Sequence, residues 1–197
     1  MVDKAPMSST LPMQQHTDEM IYCHPNDLTC EHLHLGPEEQ IEYFKRRYSA
    51  LLIHLDRLRP VLASADALYH PEGAELSVKE ILGHLIDTDR EIWWPRIRSI
   101  LDTNIPILPD INIDDHAIRA RWRSIPLEDV FYQLMRIRWD FAMNLAQLPR
   151  SALERQGNLS GVGPLSILQI LQMLVAHDAH YLEKLNDIAN LTGRIPA

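Results

Sequence analysis

Two stretches of this chain carry side chains able to do chemistry. In LVAHDAHYLEKL, residues 174–185, His177, Asp178, His180 and Tyr181 interrupt a run that otherwise reads as a buried helix, and in LSVKEILGHLIDTD, residues 76–89, His84 and Asp87 do the same. His180 and Tyr181 follow His177 by three and four residues, positions that share a helix face, and histidine pairs at such spacing chelate metals in helical bundles. Convergence of His84, His177 and His180 would give a divalent ion three imidazoles and one open position. An ion so held lowers the pKa of a bound water or thiol, the chemistry that hydrolysis and group transfer need. Asp87, one turn after His84, and Asp178 are placed to accept from the outer nitrogens of these rings and so to orient them. The competing reading is that each histidine is a hydrogen-bonded core or boundary residue with no ligand.

Convergence depends on the helices that carry the rings. Ser77 and Glu80 form a capping box in SVKE, and Ser166 with Gln169 forms another in SILQ, so each stretch opens a helix at a defined residue. His84 lies seven residues past its cap and His177 eleven past its own, a difference of about one turn at ~1.5 Å per residue for parallel helices, which modest tilt closes. The stretches also resemble each other, LSVKEILGHLIDTD against LSILQILQMLVAHD, as the halves of a pseudo-symmetric bundle would.

Two further long helices complete the set. The first starts at Pro37, with Glu38 and Glu39 where the helix dipole favours anions, and repeats Ile41, Phe44, Tyr48, Leu51, Leu55 and Leu58 on one stripe; Pro60 is expected to end or bend it after Arg59. The second runs from about Pro126 to Leu148 on Leu127, Phe131, Leu134, Phe141, Leu145 and Leu148, widened by Val130 and Ile137. Arg138 falls on the continuation of that seam and is read as a snorkelling side chain, the alternative being an anion-binding arginine inside a pocket. Val78, Ile81, Leu82, Leu85 and Ile92 form the stripe of the helix begun at Ser77, which Pro95 should kink or restart around Trp93 and Trp94. A short helix is expected over DHAIRARW, loops over NIPILPDINIDD and GNLSGVGP, and the fourth long helix reaches about Asn190. Four amphipathic helices joined by loops predict an all-α, up-down-type four-helix bundle over residues 37–197, preceded by an irregular extension over 1–36.

Composition narrows the partners. The 197 residues carry a formal net charge of −8, so phosphate backbones and anionic lipid surfaces would repel the chain, and nucleic-acid or membrane binding is not expected. The first twenty residues lack the apolar core of a signal peptide, and no stretch has the ~20 apolar residues of a spanning helix, which predicts a cytoplasmic protein. A second cluster, CHPNDLTCEHLH, holds Cys23, His24, Cys30, His32 and His34, but its spacing matches no standard zinc knuckle. It reads as a surface extension; the alternatives are a structural metal held here, or a segment that folds over the bundle mouth and supplies a missing ligand or closes the pocket. Trp93, Trp94, Trp122 and Trp139 are expected as core residues. Nucleophile elbows, phosphate-binding loops and dinucleotide fingerprints are missing from the sequence.

The order and wording of LSVKEILGHLIDTDREI and GPLSILQILQMLVAHDAHYLEKL resemble the DinB-like superfamily of four-helix bundles, over about residues 37–192. That resemblance implies a three-histidine site for a divalent metal, often zinc or nickel, and frequent homodimers. It also implies a small-molecule substrate, acted on by thiol transfer, hydrolysis or isomerisation in those members with an assigned reaction. By position His84 and His177 match two of the metal ligands, whereas the third family position, four residues after His177, holds Tyr181. His180 substitutes for it, or Tyr181 binds as a phenolate, or the site has decayed to a non-catalytic bundle that binds a small ligand or dimerises. Leu76 stands where the family often has tryptophan.

Overall fold

The computed structural model describes residues 37–64, 76–109 and 121–191. Helix α1 spans Pro37–Ser64, α2 Val78–Thr88, a π-helical turn Asp89–Trp93, α3 Trp94–Asp102, α4 Leu127–Ala146 and α5 Ile167–Leu191. The four-helix bundle is therefore as expected: α1 and α2 each pack against both α4 and α5. The extension over 1–36, with Cys23, Cys30 and their neighbouring histidines, lies outside the described residues, as does most of DHAIRARW, of which Arg121 and Trp122 are helical.

Helix starts follow the sequence closely. Ser77 accepts from the Glu80 backbone N–H at 3.4 Å while the Glu80 carboxylate accepts from the Ser77 backbone at 2.8 Å, and Ser166 and Gln169 repeat the arrangement at 3.1 and 2.8 Å. Each pair satisfies donors that a helix start leaves orphaned. Helix ends follow it less well. Pro60 does not stop α1, which continues to Ser64 because Val61 and Leu62 are buried beyond it, and their burial offsets a proline penalty of about 3 kcal/mol. Pro95 acts as anticipated: the backbone widens into the π turn before it, the Trp94 N–H reaching back to the Asp89 carbonyl, and α3 restarts with Pro95 in its first turn.

Strands were not expected, yet the two loops contain them. Ile107–Leu108 (β1) pairs in parallel with Gln156–Leu159 (β2), which pairs antiparallel with Gly163–Ser166 (β3) in the register Gln156↔Ser166 and Leu159↔Gly163. Gly161 and Gly163 take φ of 74° and 103° around the tight connection, values that only glycine adopts freely. Strand β3 runs straight into the cap of α5, so the hairpin fixes where the histidine-bearing helix begins.

The apolar core falls into two clusters, one around Leu55, Leu85, Leu134 and Leu185 and the other around Phe44, Trp93, Phe141 and Leu174. On three of the helical segments the change of cluster is marked by a polar or ionisable residue: Asp89 after α2, Arg138 on α4, and His177 and Asp178 on α5. A polar layer thus crosses the middle of the bundle.

Candidate functional site

His84 and His177 meet in that layer. Their Nε2 atoms are 3.1 Å apart, the rings stack with centroids at 5.2 Å, and both side chains are half-buried. The Tyr181 ring closes the group at 4.6 Å from the His84 ring and 4.9 Å from that of His177, and Trp93 stands edge-on to His177 at 5.5 Å. Lys184 Nζ lies 5.1 Å from the Tyr181 ring centroid, one turn along α5.

His177 turns its other nitrogen inward. Nδ1 is buried without a hydrogen-bond partner, and Asp178 Oδ1 faces it at 3.7 Å, too long for a hydrogen bond but close enough to favour an N–H there. With the ring proton on Nδ1, the Nε2 of His177 is a free lone pair that accepts from the Nε2–H of His84.

Asp178 is itself held from behind. Arg138, fully buried, donates from Nη2 to Asp178 Oδ1 at 2.8 Å and from Nη1 to Oδ2, while its Nε donates to Asp89 Oδ2 at 2.8 Å. The snorkelling expectation for Arg138 is therefore wrong: carboxylates supplied by two other helical segments satisfy the guanidinium inside the bundle. Burial works against its charge, but Asp178 and Asp89 outweigh that and raise its pKa above the ordinary arginine value. Burial alone would raise the Asp178 carboxyl, and the Arg138 guanidinium with His177 holds it below the usual range. Asp89 differs: burial pushes it up to about 7, against the pull of Arg138 and with the repulsion of Asp178. Tyr48, whose ring centroid lies 5.6 Å from the guanidinium, is raised by burial as well. Two carboxylates around one guanidinium leave this interior one negative charge in excess when both are ionised.

Asp87 does not orient an imidazole as anticipated. Its Oδ2 accepts from the Trp122 indole N–H at 2.7 Å and its Oδ1 from Arg121, so both oxygens serve the segment that leads into α4. Gly83, beside His84, makes this possible, because a Cβ there would lie 2.2 Å from the Trp122 ring. Trp93 and Trp122 are core residues, Trp94 is half-buried, and Trp139 instead stands 64% exposed on α4.

The three-histidine centre is not assembled. His180 is half-buried and edge-on to Tyr181 at 5.2 Å, about 100° around the helix from the face that Tyr181 shares with His177. Among the described residues no group of three or more His, Cys, Asp or Glu side chains is placed to hold a metal ion. Two imidazoles and a phenol ring occupy the place, so the fit to a divalent ion is good for two donors and incomplete for the third. Sequence reading missed Asp89 and Gly83, and the parts that Arg138 and Trp122 play beside the site; an arginine within the Leu134–Phe141 seam was the available signal for the ion cluster.

Comparison with known proteins agrees with this architecture. No curated protein matches the chain. Among solved structures it is similar to YfiT from Bacillus subtilis, described as a probable metal-dependent hydrolase with an unusual four-helix bundle topology, with a TM-score of 0.64 and 15% identity over 79% of this chain and 89% of that one. At that identity the likeness speaks for the fold. The family model of the DinB superfamily matches residues 43–184, a segment that takes in His84, His177 and the whole polar layer between them, and the chain belongs to that superfamily.

Proposed function

We propose that this chain acts on a small molecule by hydrolysis or thiol transfer, with a divalent ion, zinc or nickel, gathered at His84 and His177. The observation that carries this reading is the pair of Nε2 atoms 3.1 Å apart, one from α2 and one from α5, with a carboxylate behind the second ring. A bound ion would supply a water or thiol of lowered pKa. The chain's own contributions are the Nε2 atoms of His84 and His177, the Asp178 carboxylate that holds a proton at His177 Nδ1, the negative charge that Asp178 and Asp89 place around Arg138 when both are ionised, and the Tyr181 and Trp93 rings that restrict water. Tyr181 stands at the third position.

One specific observation favours a second reading, a bundle that binds a small ligand or dimerises without chemistry: a third His, Cys, Asp or Glu donor is absent among the described residues. Elemental analysis and zinc-binding calorimetry on protein purified without an affinity tag, repeated on His84→Ala, decide between them. About one ion per chain, lost in the variant, supports the first reading. No retained ion and no zinc uptake in either sample favours the second.

A further inference from the structure

We propose that Arg138 is a positioning residue for the imidazole pair: clamped between Asp89 and Asp178, it fixes the Asp178 carboxylate opposite His177 Nδ1 and so selects the tautomer that leaves His177 Nε2 facing His84 as a lone pair. The proposal rests on the His84–His177 pair being the functional centre, but its test does not need a bound metal.

The geometry runs in one line through the polar layer. Asp89 begins the π turn, where the widened backbone precedes Pro95, and its Oδ2 accepts from Arg138 Nε at 2.8 Å. Both terminal nitrogens of Arg138 then engage the two oxygens of Asp178, a fork-to-fork contact with little rotational freedom. Held this way, Asp178 presents Oδ1 to His177 Nδ1 at 3.7 Å, and Nδ1 has no hydrogen-bond partner to compete. The neighbouring carboxylate favours the ring proton on Nδ1 by attraction to the N–H dipole and disfavours a bare lone pair there. The opposite tautomer would set a lone pair against the carboxylate at Nδ1 and turn an N–H toward His84. Arg138 touches neither imidazole in this chain of contacts; it acts through Asp178. All three members are at most 1% exposed, which keeps water from relaxing the arrangement.

The test is the tautomeric state of His177, read from ring ¹⁵N chemical shifts at alkaline pH, with the resonances assigned by loss in His177→Gln. Wild-type protein should show a protonated-type Nδ1 and an unprotonated-type Nε2. Asp178→Asn leaves Arg138 with Asp89 as a balanced pair, so the fold is expected to survive, and both ring shifts should move toward each other as the second tautomer becomes populated. Arg138→Lys keeps the charge but not the fork and should give the same shift to a smaller degree. Circular dichroism on each variant confirms that the bundle is intact. A wild-type His177 protonated on Nε2 overturns the proposal, and so does a folded Asp178→Asn protein with unchanged shifts. If the wild type takes up zinc, Asp178→Asn should weaken the affinity about 10- to 100-fold. Should no zinc bind, the tautomer result still stands on its own, so failure of the metal reading and failure of this proposal are separate outcomes.

Discussion

Carboxylates on α2, on the π turn that follows it and on α5 form two sets, and each set meets arginine in a different setting. At the edge, Glu80 accepts from Arg123 at 2.9 Å, and Asp87 accepts from Arg121 and Trp122. Both edge arginines have about half their side chains in water, 53% and 54% exposed. In the middle, Asp89 and Asp178 share Arg138, with no exposure on Arg138 or Asp89 and 1% on Asp178. In pairs of the first kind the arginine stays half in water while its carboxylate is buried, so the segment leading to α4 is held on the bundle without removing the cation from solvent. The second kind has given up hydration on every side and is tolerable only while complete. What differs is the consequence of losing the arginine, because the buried edge carboxylates keep a second donor, Ser77 for Glu80 and Trp122 for Asp87, and in the centre a charge is stranded.

Arg138→Met tests the central set most severely. It leaves two buried carboxylates without a cation and should lower stability by about 3–5 kcal/mol in urea denaturation, even though methionine fits the apolar seam. A loss under ~1 kcal/mol would show that water reaches the layer and would erase the contrast. At the edge the sensitive element is packing and not charge: Gly83→Ala drives a methyl into the buried Trp122 ring, 2.2 Å from its carbons, and should cost about 1–3 kcal/mol and displace the tryptophan fluorescence maximum.

A third experiment uses pH. Asp89 in the folded chain is raised to about 7, above its ordinary value of 3.8, so between those limits the unfolded chain gives up a proton that the folded chain keeps. Stability from this group therefore falls as pH rises from about 4 to about 7. Asp178, held low, works in the opposite sense and loses its contribution as pH falls below about 4. The wild type should lose stability relative to Asp89→Asn as pH rises from 5 to 7, by at most about 1.4 kcal/mol per pH unit. Parallel profiles for the two proteins would mean that Asp89 is ionised in the folded interior. The smallest effect belongs to Arg121→Ala, expected under ~1 kcal/mol and diminished further by salt, because its side chain is 54% exposed. A larger loss would place this pair with the central set.

Much of the scaffold was readable along the chain. Apolar spacing located α1, α2, α4 and α5, the Ser77–Glu80 and Ser166–Gln169 boxes set the starts of α2 and α5, and Pro95 marked where the helical turn had to widen. These are local effects, settled by neighbours within about four residues, and so they are written in the order of the residues. The proximity of His84 to His177 was also readable, since their depth from the two caps differs by about one turn.

Tertiary structure decided everything that depends on partners distant in sequence. Arg138 lies among the apolar residues of α4 and resembles an edge side chain until Asp89, 49 positions before it, and Asp178, 40 positions after it, close around the guanidinium. Asp87 was expected to orient an imidazole, and it serves instead the indole of Trp122, which only the bundle brings over Gly83. Pro60 remained within α1 because burial of Val61 and Leu62 outweighed a local rule. His180 and Tyr181 illustrate the same division: the sequence set them one residue and about 100° apart, and packing against α2 decided that the phenol, not the third imidazole, would face the pair. Local geometry fixes where a helix starts and which residues share a face. Desolvation fixes which charges can live inside, and that depends on every side chain around them at once.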